Sequence, residues 1–187
     1  MKLKNISNLR TGVVLNRKKS TEKTEFKYKL LTLSSLSEEG LINNNFLEVF
    51  YSKEKLAEDY FTQEGDIVVR LREPVITSYI TINESGILVP SYFGIIMVKK
   101  KEFLPQYIAS VINQERVQKE LLKDISGTAV TIIKIQALGE INIKKIDIEK
   151  QKKIGRIAEL YIKEMELMRK LTEKKKSLYK GLFQKMI

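Results

Sequence analysis

Residues 149–187 constrain the fold most, because this last fifth of the sequence predicts a single long helix. The segment has no proline, and strong helix formers such as Glu, Lys, Leu, Met and Arg dominate it. At a rise of 1.5 Å per residue, residues 150–184 would form a rod of roughly 50 Å. Apolar residues recur in steps of three and four, apart from two missed steps, at Ile154, Ile157, Tyr161, Met168, Leu171, Leu178 and Leu182. A small globular neighbour cannot cover so long a stripe, so we expect these residues to form a coiled coil with another helix.

The net charge points to a polyanionic partner. The 187 residues include 34 Lys and Arg against 23 Asp and Glu, a formal net charge of +11. Residues 151–187 hold 11 of the basic and 4 of the acidic residues, or +7, which leaves +4 for residues 1–150. A nucleic-acid surface in the first 150 residues must therefore be a local patch. A solvated helix face explains the basic rod equally well.

Residue types that are absent exclude several classes of chemistry. The sequence has neither cysteine nor histidine, which removes disulfides, thiolate nucleophiles, Cys/His zinc sites and histidine general bases. It also has no glycine-rich phosphate-binding loop. No apolar run approaches the length of a membrane span, and the N terminus lacks a signal-peptide core. We therefore expect a soluble cytoplasmic protein without catalytic residues, metal site or cofactor.

The segments before the rod predict an α+β fold. Runs rich in Val, Ile, Thr and Tyr, separated by frequent turns, fill residues 67–98 and indicate a mostly antiparallel curved sheet or barrel. Residues 67–72 alternate as in a half-buried strand, and further strands are expected after Gly12, at 28–33 and at 129–135, before a turn at Leu138 and Gly139. Pro105 suits the first turn of a helix whose apolar face continues to Leu121. We expect two units, 1–147 and the helix 148–187.

Small groups of basic and aromatic residues are candidates for contact with DNA. Lysine and arginine neutralise phosphates, and arginine also reads guanine edges in the major groove. These candidates are Arg17, Lys18, Lys19, Arg70, Arg72, Tyr92, Lys99, Lys100 and Lys101. For each group alone, a solvated surface or, for Tyr92, partly buried packing explains the sequence at least as well.

One acidic group leaves a second reading open. Asp147 and Glu149 are the nearest approach to a carboxylate metal site, as a metal-dependent nuclease would need. They fall at the start of the predicted helix, where acidic side chains cap free N–H groups and favour the positive end of the dipole. We favour the capping role.

The order of six segments resembles one half of the DNA-sequence specificity (S) subunit of type I restriction-modification systems. They are Gly12-Val-Val-Leu-Asn-Arg17-Lys-Lys, Glu64-Gly-Asp-Ile-Val-Val, Leu104-Pro-Gln-Tyr-Ile-Ala-Ser-Val-Ile-Asn, Ser126-Gly-Thr-Ala-Val, Leu138-Gly-Glu-Ile-Asn-Ile and Asp147-Ile-Glu-Lys-Gln-Lys-Lys-Ile154. Thr128, in the fourth segment, joins the DNA-binding candidates. Residues 143–148 depart from the family, because they lack the proline that is common before its long helix.

The resemblance implies a target recognition domain of α+β fold, carried on a helical spacer. Such a subunit is not an enzyme; it binds double-stranded DNA for an adenine methyltransferase (modification) subunit and a restriction subunit. The residues that read bases vary within the family and cannot be transferred by position. A whole S subunit has two recognition domains and two long helices, which pair antiparallel, whereas this chain has one of each.

The single long helix therefore predicts a homodimer that pairs antiparallel and reads a palindromic, interrupted site. The alternative from another class is a structural or adaptor protein whose basic coiled coil docks a partner without reading DNA.

Overall fold

The computed structural model describes residues 1–123 and 132–186. In this part of the chain the strands are β1 (Ser7–Thr11), β2 (Lys27–Leu30), β3 (Glu48–Tyr51), β4 (Ile67–Arg70), β5 (Thr77–Tyr79) and β6 (Phe93–Val98). The α-helices are α1 (Leu15–Lys18), α2 (Pro105–Ile112), α3 (Glu115–Leu122), α4 (Ile135–Gly139) and α5 (Ile148–Met186). Short 3-10 helices occupy Leu3–Asn5, Asn44–Phe46, Glu58–Tyr60 and Ile82–Glu84.

Two antiparallel sheets confirm the predicted α+β class. The larger sheet has four strands in the order β1-β6-β4-β5, and β2 and β3 form a separate hairpin-like pair. Within the larger sheet, Ser7 of β1 lies opposite Val98 of β6, and Arg70 of β4 lies opposite Phe93 of β6. The N-terminal end of β6 therefore adjoins the C-terminal end of β4.

Strand β4 of the larger sheet is buried on both faces, so the prediction of a half-buried strand at residues 67–72 was wrong. Ile67 and Val69 pack into a cluster with α2, α3 and α4, whereas Val68 packs into a second cluster on the opposite face. All three side chains are fully buried. The second cluster includes Leu31 and Leu36, which belong to segments far from β4 in the sequence. Local alternation cannot reveal a covering layer of that kind.

The strand predicted after Gly12 was also wrong, because β1 ends before this glycine and the short helix α1 follows it. A β-carbon at Gly12 would lie 2.1 Å from the carbonyl oxygen of Val89, so only glycine allows the chain to pass there. The Gly12 N–H donates to the carbonyl of Phe93 at 3.0 Å, and the Val13 N–H donates to that of Val89 at 2.8 Å. This close approach carries α1 past the N-terminal end of β6.

The helical region differs from the prediction in two places. The helix expected from Pro105 to Leu121 is divided into α2 and α3. The Asn113 side chain, at the division, accepts a hydrogen bond from the Thr77 N–H at 2.9 Å and donates one to the Thr77 carbonyl at 3.3 Å, which ties the end of α2 to β5. The turn expected at Leu138 and Gly139 is the end of α4 instead.

Of the strand expected at 129–135, residues 129–131 lie outside the described residues, and the described residues 132–135 do not form a strand. Its described end makes a single bridge, between Ile132 and Arg72, and α4 begins at Ile135.

Helix α5 is anchored to the rest of the chain through its first two turns. Gln151 is fully buried, and its side-chain amide donates to the carbonyls of Glu102 at 2.8 Å and Ile146 at 2.9 Å. Its amide oxygen accepts the Leu104 N–H at 2.9 Å. Because a buried polar group is stabilising only when it is hydrogen-bonded, these three bonds define where α5 leaves the core.

Gly155 allows α5 to lie directly against α2. A β-carbon at this position would come within 2.8 Å of the Gln106 β-carbon, whereas one at Gly181, near the far end of the same helix, would meet nothing within 4 Å. No helix of the described residues is both long enough and apolar enough to span a membrane.

The two helical glycines form a matched test of this contact. Gly155→Ala should lower the free energy of unfolding by about 1–3 kcal/mol, because the overpacking exceeds the gain in helix propensity. Gly181→Ala should raise it by up to about 1 kcal/mol, because the methyl group meets open space. Urea denaturation at one fixed protein concentration measures both changes. Equal effects of the two substitutions would show that α5 does not pack tightly on α2.

Candidate nucleic-acid interface

Arg70, Arg72 and Tyr92 come together at one end of the larger sheet, and we call this group the arginine patch. Arg70 ends β4, and the Leu71 N–H donates to the carbonyl of Tyr92 at 3.0 Å. All three side chains are half-buried. Because both faces of β4 are covered, the end of this strand and the loops beside it are the parts that a ligand can reach.

Arg70 has a buried hydrogen-bond donor without a partner among the described residues. Its Nη2 donates to the carbonyl of Glu73 at 2.9 Å, but its Nε is buried and donates to no described atom. Burial, followed by repulsion from the Arg72 guanidinium, lowers the pKa of Arg70, while Glu38 opposes this shift less strongly. Two neighbouring cations with an unused donor favour an anionic, acceptor-rich ligand.

Arg10 is the informative contrast to Arg70. Its Nη2 is also buried without a hydrogen bond, but it lies 3.9 Å from the buried carboxylate of Asp66, and its Nε donates to the carbonyl of Asp59 at 2.7 Å. Burial raises the pKa of Asp66, and the Gln63 N–H and Arg10 lower it less strongly. Arg10 therefore compensates a carboxylate of the protein, whereas Arg70 makes no ion pair within the described parts of the chain.

Tyr92 is partly a packing residue, as the sequence also allowed. Its ring packs against the second core cluster and lies 5.2 Å, centroid to centroid, from the ring of Phe93. Its hydroxyl points towards the carbonyl of Leu31 at 3.5 Å. Burial is the main cause that raises the pKa of Tyr92. Glu48 raises this pKa further, and Arg72 lowers it. Tyr92 and Arg72 therefore lie near an acidic residue, Glu48, which the local sequence did not indicate.

Arg17, Lys18 and Lys19 form a second group, the α1 patch. Arg17 and Lys19 are exposed, whereas Lys18 forms an ion pair with Glu54 that raises the pKa of Lys18 and lowers that of Glu54. The Lys53 N–H donates to the carbonyl of Lys18 at 2.9 Å, which adds an exposed cation that the sequence analysis missed. Only the pairing of segments distant in sequence brings Lys53 here.

The α1 patch and the arginine patch lie towards the same end of the larger sheet. Val13, two residues before α1, bridges Pro90, and the Ser91 N–H donates to the Val13 carbonyl at 2.8 Å. Tyr92 follows directly. The fold thus connects two groups that are more than fifty residues apart in the sequence.

Lys99, Lys100 and Lys101 lie apart from both groups. They follow the C-terminal end of β6, about 20 Å of strand away from its N-terminal end. Lys99 and Lys101 are exposed, and the Lys99 and Lys100 N–H groups both donate to the carbonyl of Ile6. The next residue, Glu102, accepts the hydrogen bond from Gln151, so this lysine turn sits beside the start of α5. Thr128 lies outside the described residues.

Asp147 has the predicted capping role at the start of α5, and Glu149 lies in the first turn of the helix. One carboxylate oxygen of Asp147 accepts the N–H groups of Glu149 at 2.8 Å and Lys150 at 3.4 Å. Glu149 forms an ion pair with Lys152 at 2.7 Å. Among the described residues, no three acidic side chains are grouped so that they could hold a metal ion.

The seven stripe residues of α5 divide into two groups. Ile154 is half-buried and packs against the main core cluster of its own chain. The other six, Ile157, Tyr161, Met168, Leu171, Leu178 and Leu182, are 48–66% exposed. Residues 151 and 155 face α2 and are buried, so the helix uses one side for its own core and presents a separate apolar side to the surroundings.

We predict different effects on stability for the two half-buried arginines, Arg10 and Arg70. Arg10→Met should lower the free energy of unfolding by about 2–4 kcal/mol, because it leaves the buried Asp66 carboxylate without its counter-charge. Arg70→Met should leave stability unchanged or raise it by up to about 1 kcal/mol, because it removes a half-buried cation with an unpaired donor. Urea denaturation compares them, and a loss of more than 1 kcal/mol for Arg70→Met would mean that Arg70 is a structural residue.

Comparisons with known proteins give the fold a clear counterpart among solved structures. The HsdS subunit from Thermoanaerobacter tengcongensis superposes with a TM-score of 0.65 and 10% identity over 93% of this chain and 44% of its own. A chain from a structure of complex assembly and conformational transition in the type I R-M system superposes with a TM-score of 0.59 and 9% identity. The superposition covers 97% of this chain and 42% of that chain. The S subunit of the type I restriction-modification system from M. genitalium superposes with a TM-score of 0.58 and 14% identity. The superposition covers 92% of this chain and 41% of that subunit.

No protein-family model matches the sequence, and no curated protein matches it. The chain spans less than half the length of the three structures. The predicted resemblance is therefore confirmed at the level of structure: this chain has the fold of one half of a type I restriction-modification S subunit.

Proposed function

We propose that this chain is a half-length, non-catalytic specificity subunit that reads one half of a bipartite DNA site. Two copies would associate through antiparallel α5 helices and direct a DNA adenine methyltransferase subunit and a restriction subunit to that site. In this proposal residues 1–147 are the target recognition domain, and residues 148–187 are the spacer and dimerisation arm.

One observation carries the proposal, namely the share of each chain that superposes. Nearly all of this chain, 93%, matches 44% of the Thermoanaerobacter HsdS subunit at a TM-score of 0.65. Two copies would therefore supply about as much structure as one whole S subunit. A two-fold dimer is the commonest way for a protein to double such a unit, and it presents two identical reading surfaces to a palindromic site.

The arginine patch supports the assignment of a DNA-reading surface. Arg70 has an unused buried donor, and Arg72 lies beside it. Guanine offers two acceptors that an arginine can contact in the major groove. The α1 patch lies towards the same end of the sheet with three exposed cations, Arg17, Lys19 and Lys53, which suit phosphate contacts that position the protein without reading sequence.

Co-expression with a methyltransferase subunit tests the whole function. We expect methylated adenines to appear in an interrupted palindromic motif only when this chain is present together with the modification subunit of its own system. Sequencing that detects methylated adenine in genomic DNA measures this result. A palindromic motif would identify function, partner and two-fold symmetry together.

Variants of α5 provide the control for that experiment. Leu171→Asp with Leu178→Asp places charge on the exposed apolar face, far from the core. This variant should stay folded by circular dichroism but lose the motif, because the dimer no longer forms. If the motif persists, the two copies do not meet through α5. If the original chain yields no motif, the result favours the alternative of a structural or adaptor protein that does not read DNA.

Because Lys18 is paired with Glu54, we expect the basic residues of the α1 patch to differ in how much each contributes to the salt dependence of binding. The ligand is a DNA duplex of random sequence. Arg17→Gln, Lys19→Gln and Lys53→Gln should each reduce the slope of log K against log salt by about 0.9, the value for one lost phosphate contact. Lys18→Gln should have a smaller effect, because Glu54 already neutralises this lysine. Glu54→Gln should strengthen binding.

Fluorescence anisotropy at several salt concentrations measures these slopes. Lys119→Gln is the matched control, since Lys119 lies on α3 and is paired with Glu115 at 2.6 Å. A slope that does not change in any of the α1-patch variants would remove this patch from the proposed interface.

A further inference from the structure

The exposed side of α5 carries an unbroken heptad pattern with two charged members. In steps of four and three residues, it comprises Ile157, Tyr161, Glu164, Met168, Leu171, Lys175, Leu178 and Leu182. All eight side chains are exposed. Six of them are large and apolar, so this seam requires a partner, and the two charges lie where a partner would cover them.

Glu164 is distinguished from the other acidic residues of the helix. Glu149, Glu159, Glu166 and Glu173 each form an ion pair with a basic residue on the same helix, at 2.7, 2.9, 2.6 and 2.7 Å respectively. Glu164 and Lys175 make no ion pair in the described ranges, residues 1–123 and 132–186. They are eleven positions apart, about 16 Å along the helix, so they cannot pair with each other within one chain.

Two antiparallel copies can satisfy both charges at once. In a two-fold antiparallel pair, residues at equal distances on opposite sides of the axis meet. If the axis passes between Arg169 and Lys170, Glu164 meets the partner's Lys175, and the reverse contact follows by symmetry. The same axis places Ile157 opposite the partner's Leu182, Tyr161 opposite the partner's Leu178, and Met168 opposite the partner's Leu171.

Other alignments leave the two charges against unsuitable neighbours. A shift by one heptad in either direction places Glu164 opposite the partner's Met168 or the partner's Leu182. Lys175 then lies opposite the partner's Ile157 or the partner's Leu171. A parallel pair would place Glu164 against the partner's Glu164, and Lys175 against the partner's Lys175. Covering an unpaired charge or joining like charges is unfavourable in each case.

We propose that Glu164 and Lys175 fix the register and direction of the α5 pair, with the two-fold axis between Arg169 and Lys170. This inference rests on the proposed function, which supplies a second copy of the chain as the occupant of the exposed face. A shallow groove of about 340 Å³ lies beside Glu164, on the side of α5 that the partner helix would cover. Its lining residues are Leu160, Lys163, Leu167, Met168 and Leu171. All the other basic residues of residues 151–187 lie outside the seam, so the excess positive charge of this segment is not placed between the two helices.

This register also sets the distance between the two recognition domains. Ile154, where each helix meets its own core, lies about 46 Å along the axis from the partner's Ile154. The domains are therefore held at opposite ends of the arm, more than one DNA turn of about 34 Å apart.

Charge reversal tests the pairing directly by sedimentation velocity. Glu164→Lys alone and Lys175→Glu alone each create two like-charge contacts per dimer and should weaken dimerisation by at least about 30-fold. The double variant Glu164→Lys with Lys175→Glu should restore the dimer to within about threefold of the original. An equimolar mixture of the two single variants should likewise form heterodimers, since both contacts are then complementary.

Disulfide cross-linking provides an independent test, because the sequence contains no cysteine. A mixture of Ile157→Cys and Leu182→Cys chains should cross-link on mild oxidation. Leu182→Cys alone should not cross-link, because position 182 of one chain lies about 38 Å from position 182 of the other in the antiparallel pair. Cross-linking of Leu182→Cys alone would show a parallel pair and overturn the proposal.

The outcomes separate the register from the proposed function. If the original chain is a dimer but the double variant stays as weak as the single variants, the register is wrong while the dimer stands. If the original chain sediments as a monomer at micromolar concentration, both the register and the homodimer are wrong. A dimer restored by charge reversal, with cross-links only in the mixture, supports both.

Discussion

The side-chain amide of Gln151 is the interaction on which the arrangement of this molecule depends. All three of its hydrogen bonds are made to backbone groups, two of them beside the start of α2 and one just before α5. Gly155, one turn later, then allows the helix to lie directly on α2. Gly155 and Ile157 point about 200° apart around the helix, so the anchored side and the exposed apolar side are nearly opposite. These contacts set the direction in which α5 leaves the core and the side of the helix that stays exposed.

Burial of β4 on both faces limits where a ligand can bind along this strand. Ile67, Val68 and Val69 are fully covered, and the polar residues of β4 are found only where the strand ends. Arg70 lies at that boundary, with a donor that its own chain does not use. Arg70 has no ion-paired counter-charge among the described residues, in contrast to Arg10 beside Asp66. Two arginines of the same sheet thus differ in whether the described residues supply an ion-paired counter-charge.

Periodic features of the fold were predictable from the sequence, whereas features made by distant segments were not. The apolar steps of three and four predicted α5, and β-branched runs predicted strands at β2, β4 and β6, because each signal is local. The break between α2 and α3 depends on Asn113 binding Thr77, and the covering of Val68 depends on residues near Leu31. The same limit applies to the candidate site. Arg17, Arg70 and Tyr92 could be named from composition, but the proximity of Lys53 and the unpaired Nε of Arg70 required the fold.

The pattern on α5 favours a partner of the same sequence over an unrelated helix. An isologous interface requires a surface that is complementary to itself after a two-fold rotation. Two different helices that pair need only complement each other, and neither must be symmetrical about its own midpoint. Around the point between Arg169 and Lys170, the seam of α5 has apolar residues at mirrored positions, and its only two charges are mirrored with opposite sign. Such self-complementarity has no role in a helix that contacts a dissimilar surface. In the proposed function, this property allows two copies to bring two recognition domains together.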